Sequence, residues 1–229
     1  MAKGNTMNFI EYPDREMLVL RVADALAGEL ENALLTHESV SFAVPGGTTP
    51  GPIFDILSAT ALDWQNVHVM LSDERWVPED HDLSNTRLLR DRLFTGPAAA
   101  AQFVPFYRAG KTAAEGCAEV AATLSAQMPL SLLVLGMGTD MHTASLFPGA
   151  AGLEAALATD APLLCPISTA DQEIDRVTLS AHALRGALST HVVMYGADKR
   201  AALETARSLP PAQAPIGAVL GNATVHWAA

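Results

Sequence analysis

The sequence predicts an α/β protein, a three-layer sandwich in which a mostly parallel sheet carries helices on both faces. Three observations lead there. Short runs of β-branched and aliphatic residues alternate along the chain with longer stretches of helical periodicity, the order that βαβ units produce. The most apolar runs end in polar, glycine-bearing turns that lead into helices. The chain, 229 residues with 49% apolar and 17% charged residues, has the length and composition of a single domain spanning 1–229 around one core.

Taken in order, residues 14–36 form the first helix. Asp14 is its N-cap, and Leu18, Val22, Leu26, Leu30 and Leu34 recur at i+4 steps to make one apolar stripe. VSFAV at 40–44 is a strand, ended by PGGTTPG, after which 52–58 start the next helix. A strand at 67–71 (VHVML), a helix at 85–94, a short strand at 103–106 and a helix at 112–127 follow, with the alanine-rich GPAAAAQ at 96–102 as a surface connection. The most apolar strand, 130–135, precedes GMGTDMH. Further strands are expected at 163–167, 176–180, 191–195 and 223–227, with a helix at 198–207 stopped by Pro210 and Pro211.

Composition excludes several classes of function. No apolar stretch approaches the about 18 residues of a membrane span, and the start, MAKGNTMNFIEYPD, has no signal-peptide run. With 14 basic and 25 acidic residues the formal charge is -11, which argues against a nucleic-acid partner. Any anion site must therefore be local. Cys117 and Cys165 form neither a disulfide framework nor a zinc motif and point to a reducing, cytoplasmic setting. No H-x-x-x-H, H-E-x-x-H, G-x-S-x-G, Walker or dinucleotide fingerprint occurs, so a metal site, a nucleophile elbow and a nucleotide-binding loop find no support.

In parallel α/β sheets, ligands bind beyond the carboxyl ends of the strands. After 40–44 come Gly46, Gly47 and Thr48, whose exposed backbone N–H groups and hydroxyl suit a phosphate at a helix N-terminus. After 67–71 come Ser72, Asp73, Glu74 and Arg75, with Ser84-Asn85 further on as a helix cap. After 130–135, a glycine turn presents Asp140 and His142 two residues apart, and histidine is the side chain best suited to move protons near neutral pH. His37, His68, His81, His182, His191 and His226 lack such a context and are read as surface or core residues. Arg176, opening its strand, and Lys199, opening its helix, complete a candidate phosphate clamp.

GGTTP at 46–50, SDERWVP at 72–78 with SN at 84–85, GMGTDMHTASLFPG at 136–149, RVTLS at 176–180 and GADKR at 196–200 together resemble the glucosamine-6-phosphate isomerase/6-phosphogluconolactonase family, on its lactonase side. The resemblance implies a Rossmann-like sandwich and hydrolysis of 6-phospho-D-glucono-1,5-lactone, a step of the oxidative pentose phosphate pathway, without metal or cofactor. It implies His142 as general base, Asp140 tuning it, and Asp73 and Arg75 at sugar hydroxyls or developing charge. Gly46, Gly47, Thr48, Arg176 and Lys199 would hold the phosphate, and Asn85 and Ser145 join the substrate contacts. The partner implied is a small phosphosugar lactone, on a monomer or weak homo-oligomer.

One position departs from the pattern. The family reads D-G-H where this chain has Asp140-Met141-His142. With φ > 0, methionine there costs about 1–2 kcal/mol; with φ negative the change is mild, and an intact site is expected in view of the neighbouring motifs. The deaminase relatives carry an acid in an I-A-F-N-E-P segment, whereas 143–148 read TASLFP. A non-catalytic sugar-phosphate sensor is the remaining rival.

Overall fold

The structure, a computed structural model, describes residues 7–170 and 173–229. The expectation of no signal peptide falls partly on residues 1–6, which lie outside them. Edge strand β1 (Asn8–Glu11) leads into α1 (Arg15–Leu34), where the Asp14 carboxylate accepts the Met17 N–H at 2.7 Å and closes the first turn. The i+4 stripe faces inward: Leu18, Val22, Leu26 and Leu30 are fully buried and Leu34 half-buried. Then come β2 (Val40–Val44), α2 (Gly51–Ser58), β3 (Val67–Leu71), β4 (Asp73–Arg75), α3 (Asn85–Arg92) and β5 (Gln102–Val104). Next, α4 (Ala113–Ser125) starts on a reciprocal Thr112–Glu115 capping box, followed by β6 (Leu132–Leu135), α5 (Leu153–Leu157), β7 (Leu164–Ile167) and β8 (Arg176–Leu179). The chain finishes with α6 (Ala181–Arg185), β9 (Ser189–Tyr195), α7 (Ala197–Ala206) and β10 (Ala223–Ala228). The stretch read as a surface connection at 96–102 contains a 3-10 turn at Gly96–Ala100 that buries Ala98.

Seven strands form one parallel sheet in the order β1-β10-β9-β6-β2-β3-β5. Strands β2 and β6 are buried at every position, as parallel strands covered on both faces require. The order reverses between them: from β2 the chain runs outward to β3 and β5, then returns to β6 on its other side. They pair only at Phe42–Leu132 and Ala43–Leu133, so their following loops open a crevice at the switch point. Among the described residues no helix is long and apolar enough to cross a membrane.

The strands expected at 163–167 and 176–180 exist but do not join that sheet. Together with β4, whose three charged residues carry no strand pattern, they form a separate antiparallel sheet in the order β4-β8-β7. Strand β1 was not anticipated either. The small sheet bears directly on the crevice, because β4 carries Asp73 and Arg75 and β8 carries Arg176, all three lining it.

His191 and His226, read as surface or core residues, are core. They form a buried chain with two further groups: His191 Nε2 lies 3.0 Å from Glu29, His191 Nδ1 2.9 Å from His226 Nε2, and His226 Nδ1 2.8 Å from the Tyr12 hydroxyl. One proton order satisfies every atom with both rings neutral. Tyr12 donates to His226, His226 to His191, and His191 to Glu29. Burial, then the neighbouring His191, pushes His226 down to about 4, with Glu29 pulling the other way. A histidine that binds its proton more weakly folded than unfolded makes stability fall as pH drops through the window between 6.5 and about 4, by about 3 kcal/mol in total. Burial pushes Glu29 up, but hydrogen bonds from His191 and Ser189 outweigh it and hold the carboxyl low, so its share is lost only at lower pH. Urea unfolding across pH 7 to 4 should show the decline, and it should flatten in His226→Asn; an equal slope in that variant would contradict the assignment.

Candidate active site

Every loop at the switch-point crevice contributes to one cavity of about 420 Å³. Of the residues expected at the site, all but Asp140 and Ser145 line it. The first wall is the turn after β2. Gly47 adopts φ +85°, and a Cβ at Gly46 would lie 1.9 Å from Asn85 Oδ1, so only glycine lets this turn approach Asn85. Helix α2 then begins without a side-chain cap, leaving its N-terminal turn beside the cavity.

The second wall is the small antiparallel sheet. Its register sets Arg75 directly opposite Arg176. Like charges facing each other across strands repel, and an anion between them would offset that repulsion. Burial, then Arg75, pushes the Arg176 guanidinium below its usual value, while Asp73 and Glu74 pull it back. Arg176 also lies over the Phe147 ring, 5.2 Å from its centroid. Asp73 is buried and held by two hydroxyls: Ser72 donates to Oδ1 at 3.0 Å and Ser145 to Oδ2 at 2.6 Å.

Two expectations change here. Ser145, expected as a substrate contact, is fully buried behind the wall and orients Asp73 instead. Ser84 alone caps α3; Asn85 is the first helical residue, and its side chain accepts from the Arg75 guanidinium and donates to the Asp73 carbonyl.

The third wall is the turn after β6. Gly138 accepts from the Met141 N–H and donates to the His142 carbonyl, both at 3.0 Å. Met141 (φ +67°) and Ala144 (φ +48°) occupy the left-handed region on either side of His142, which concentrates backbone strain at this segment. The turn brings His142 Nδ1 to 2.5 Å from Asp140 Oδ1. A carboxylate on Nδ1–H fixes the tautomer and leaves the Nε2 lone pair to take a proton. Phe147 packs 4.4 Å from the imidazole, centroid to centroid, so one ring contacts both His142 and Arg176.

Of the two alternatives left open for Met141, the structure takes the positive φ, yet the Asp140–His142 contact is made. Glycine there would relieve about 1–2 kcal/mol of left-handed strain and lose about 0.4–1 kcal/mol to unfolded-chain entropy, together with the packing of the half-buried methionine on the core. Met141→Gly is therefore expected to shift unfolding free energy by less than about 1 kcal/mol and kcat by less than about threefold. A gain of several orders of magnitude in kcat would show the natural site to be impaired.

The last wall is the start of α7. Gly196 (φ +89°) turns the chain into the helix, and its carbonyl accepts from the Trp227 indole at 2.9 Å, fixing the turn that presents Lys199. Burial pushes the Lys199 ammonium down, and it makes no ion pair among the described residues. Trp227, Phe147 and Gly138 were given no role from sequence, and Ser72 was noted only as following its strand. Gly138 carried a signal as part of the glycine turn.

The described lining thus sets three cations, Arg75, Arg176 and Lys199, against one carboxylate, Asp73. A local positive site coexists with a total charge of -11.

A family model described as glucosamine-6-phosphate isomerases/6-phosphogluconolactonase matches residues 13–227. The chain is 39% identical over 230 residues to a 6-phosphogluconolactonase of Rhizobium meliloti, covering 97% of this chain and 98% of that protein. It is 36% identical over 211 residues to one of Pseudomonas aeruginosa, covering 90% and 88%. A crystal structure of a 6-phosphogluconolactonase from Shewanella baltica superposes with a TM-score of 0.93 at 34% identity, covering 97% and 98%. With likeness extending over nearly the whole of each relative, and with the backbone of a solved one reproduced, the chain belongs to the glucosamine-6-phosphate isomerase/6-phosphogluconolactonase family.

Proposed function

We propose that this chain hydrolyses 6-phospho-D-glucono-1,5-lactone to 6-phosphogluconate, in the oxidative pentose phosphate pathway, by direct attack of water. The observation that carries the reading is one cavity with an Asp140-tuned imidazole on one wall and a like-charged arginine pair on another. A lactone is an activated ester and needs no covalent nucleophile, only a base and stabilisation of the oxyanion. His142 Nε2 takes a proton from water as the oxygen adds to C1. The tetrahedral intermediate then collapses, the bond from C1 to the ring oxygen breaks, and the imidazolium returns its proton to that oxygen. The new carboxylic acid ionises.

Arg176, Lys199 and the Gly46-Gly47-Thr48 turn hold the phosphate, with Arg75 opposite Arg176 adding a third cation. Phosphate binding at one end orients the carbonyl at the other, so remote binding energy acts on the reacting centre. Asp73, fixed by Ser72 and Ser145, meets sugar hydroxyls. We read the chain as one catalytic unit, cytoplasmic, monomeric or weakly associating, without a nucleic-acid partner; the acidic total supports the last point.

The purified protein should release acid from freshly made lactone well above the spontaneous rate and liberate no ammonia from glucosamine 6-phosphate. Background-rate hydrolysis would support a sensor instead, and ammonia release would support a deaminase.

A further inference from the structure

Glu74 lies between Asp73 and Arg75 on β4, outside the cavity lining, and the proposed reaction gives it no part. It is 1% exposed. Its carboxylate nevertheless collects five hydrogen bonds: from the backbone N–H groups of Arg75 (2.7 Å), Asn85 (2.8 Å) and Thr86 (2.9 Å), and from the hydroxyls of Thr86 (2.9 Å) and Ser84 (3.0 Å). Burial pushes this carboxyl up, and the bonds from Asn85, Thr86 and Ser84 pull it down.

Capping alone does not account for the cluster. Helix α3 is eight residues long and already has its N-cap, since Ser84 Oγ accepts the N–H groups of Thr86 and Arg87. Adding a buried carboxylate to a capped helix carries a desolvation penalty. What the carboxylate does in addition is fix Asn85 by its backbone. The Asn85 side chain, seated against Gly46, donates to the Asp73 carbonyl at 2.9 Å and accepts from the Arg75 guanidinium. Arg75 faces Arg176 across the strands, and among the described residues the Asn85 side-chain oxygen is the side-chain acceptor that its guanidinium meets.

We infer that Glu74 is a positioning residue: it pins the first turn of α3 so that Asn85 holds the Arg75 guanidinium in the cavity opposite Arg176, set for the substrate's anionic group. The inference rests on the reading of this cavity as a phosphorylated-lactone site. Glutamine at position 74 keeps the shape but turns an NH2 toward donors that now lack an acceptor.

The test measures lactone kinetics, inorganic phosphate affinity by calorimetry and melting temperature for the parent, Glu74→Gln, Asn85→Ala and the double variant. Glu74→Gln should raise KM and the phosphate Kd about tenfold while kcat falls less than about threefold. In the Asn85→Ala background it should leave the phosphate Kd unchanged while still lowering the melting temperature. Thr86→Val, which removes one donor at constant shape, should raise the phosphate Kd about two- to threefold and keeps the proposal testable if Glu74→Gln does not fold. A Glu74→Gln protein that melts lower but keeps KM and Kd within about twofold would overturn the proposal, as would an undiminished effect on Kd without Asn85, or an unchanged Kd in Thr86→Val. A parent that neither turns over lactone nor binds phosphate overturns the functional reading and this proposal together; a competent parent with an indifferent Glu74→Gln overturns this proposal alone.

Discussion

Replacing His142 by alanine should lower kcat for lactone hydrolysis by about two to four orders of magnitude once spontaneous hydrolysis is subtracted, the usual contribution of a positioned general base. KM should move little, because the cations proposed to hold the phosphate lie on other walls of the cavity. The 2.5 Å contact from Nδ1 to Asp140 makes a second, graded expectation. Asp140→Asn keeps the shape but removes the carboxylate that selects the tautomer and stabilises the imidazolium, so it should lower kcat with KM preserved. Near-parent turnover in His142→Ala would remove the imidazole from the reaction. Parent-like turnover in Asp140→Asn would reduce Asp140 to a turn residue.

Gly138→Ala should lower kcat about a hundredfold, the usual consequence of a misplacement of about 1 Å in a reacting group. It adds a single methyl and removes no functional atom. A Cβ there would sit 2.2 Å from His142 Nδ1, 2.3 Å from its Cε1 and 2.4 Å from Asp140 Oδ1. Both side chains would have to move, and the backbone has little freedom to absorb the change: Gly138 is bonded through its N–H to His142 and through its carbonyl to Met141. The phosphate end lies on other elements, so phosphate affinity should stay at the parent value. Kinetics with a phosphate titration separates the two halves of the site. An unchanged kcat would mean that the imidazole tolerates displacement and that its orientation is not what the turn secures.

The parallel sheet was legible because its strands centre on short apolar runs that alternate along the chain with helical patterns, and that order survives without knowledge of partners. The antiparallel sheet was not. Residues 164–167 and 176–179 resemble the parallel strands in composition, and β4 reads Asp-Glu-Arg, three charges with no apolar alternation. Which strand pairs with which is decided by tertiary placement, which periodicity does not carry. The site divides in the same way. The glycine turn, Asp73, Arg75 and the Asp140–His142 pair drew attention because each lies in the segment that follows an apolar strand. The role of Ser145 could not, since the direction of its hydroxyl depends on the left-handed turn at Ala144 and on a partner 72 positions away. Glu74 was noted only as one of three charged residues following a strand, and the return of α3 against β4 shows that it is buried. The conformation of Met141 was equally beyond the sequence, and its positive φ meets an intact Asp140–His142 contact rather than a displaced one.

The most direct test of the central claim, that phosphate recognition at one end of the cavity drives lactone hydrolysis at the other, compares kcat/KM for 6-phosphogluconolactone and for unphosphorylated gluconolactone in the parent and in Arg176→Ala. The parent should favour the phosphorylated lactone by about a hundredfold or more, and Arg176→Ala should lose at least about tenfold of that preference while its rate with gluconolactone changes little, since the lost bonds are charge-assisted ones to phosphate. Equal kcat/KM for the two lactones in the parent, or a preference that survives Arg176→Ala intact, would contradict it.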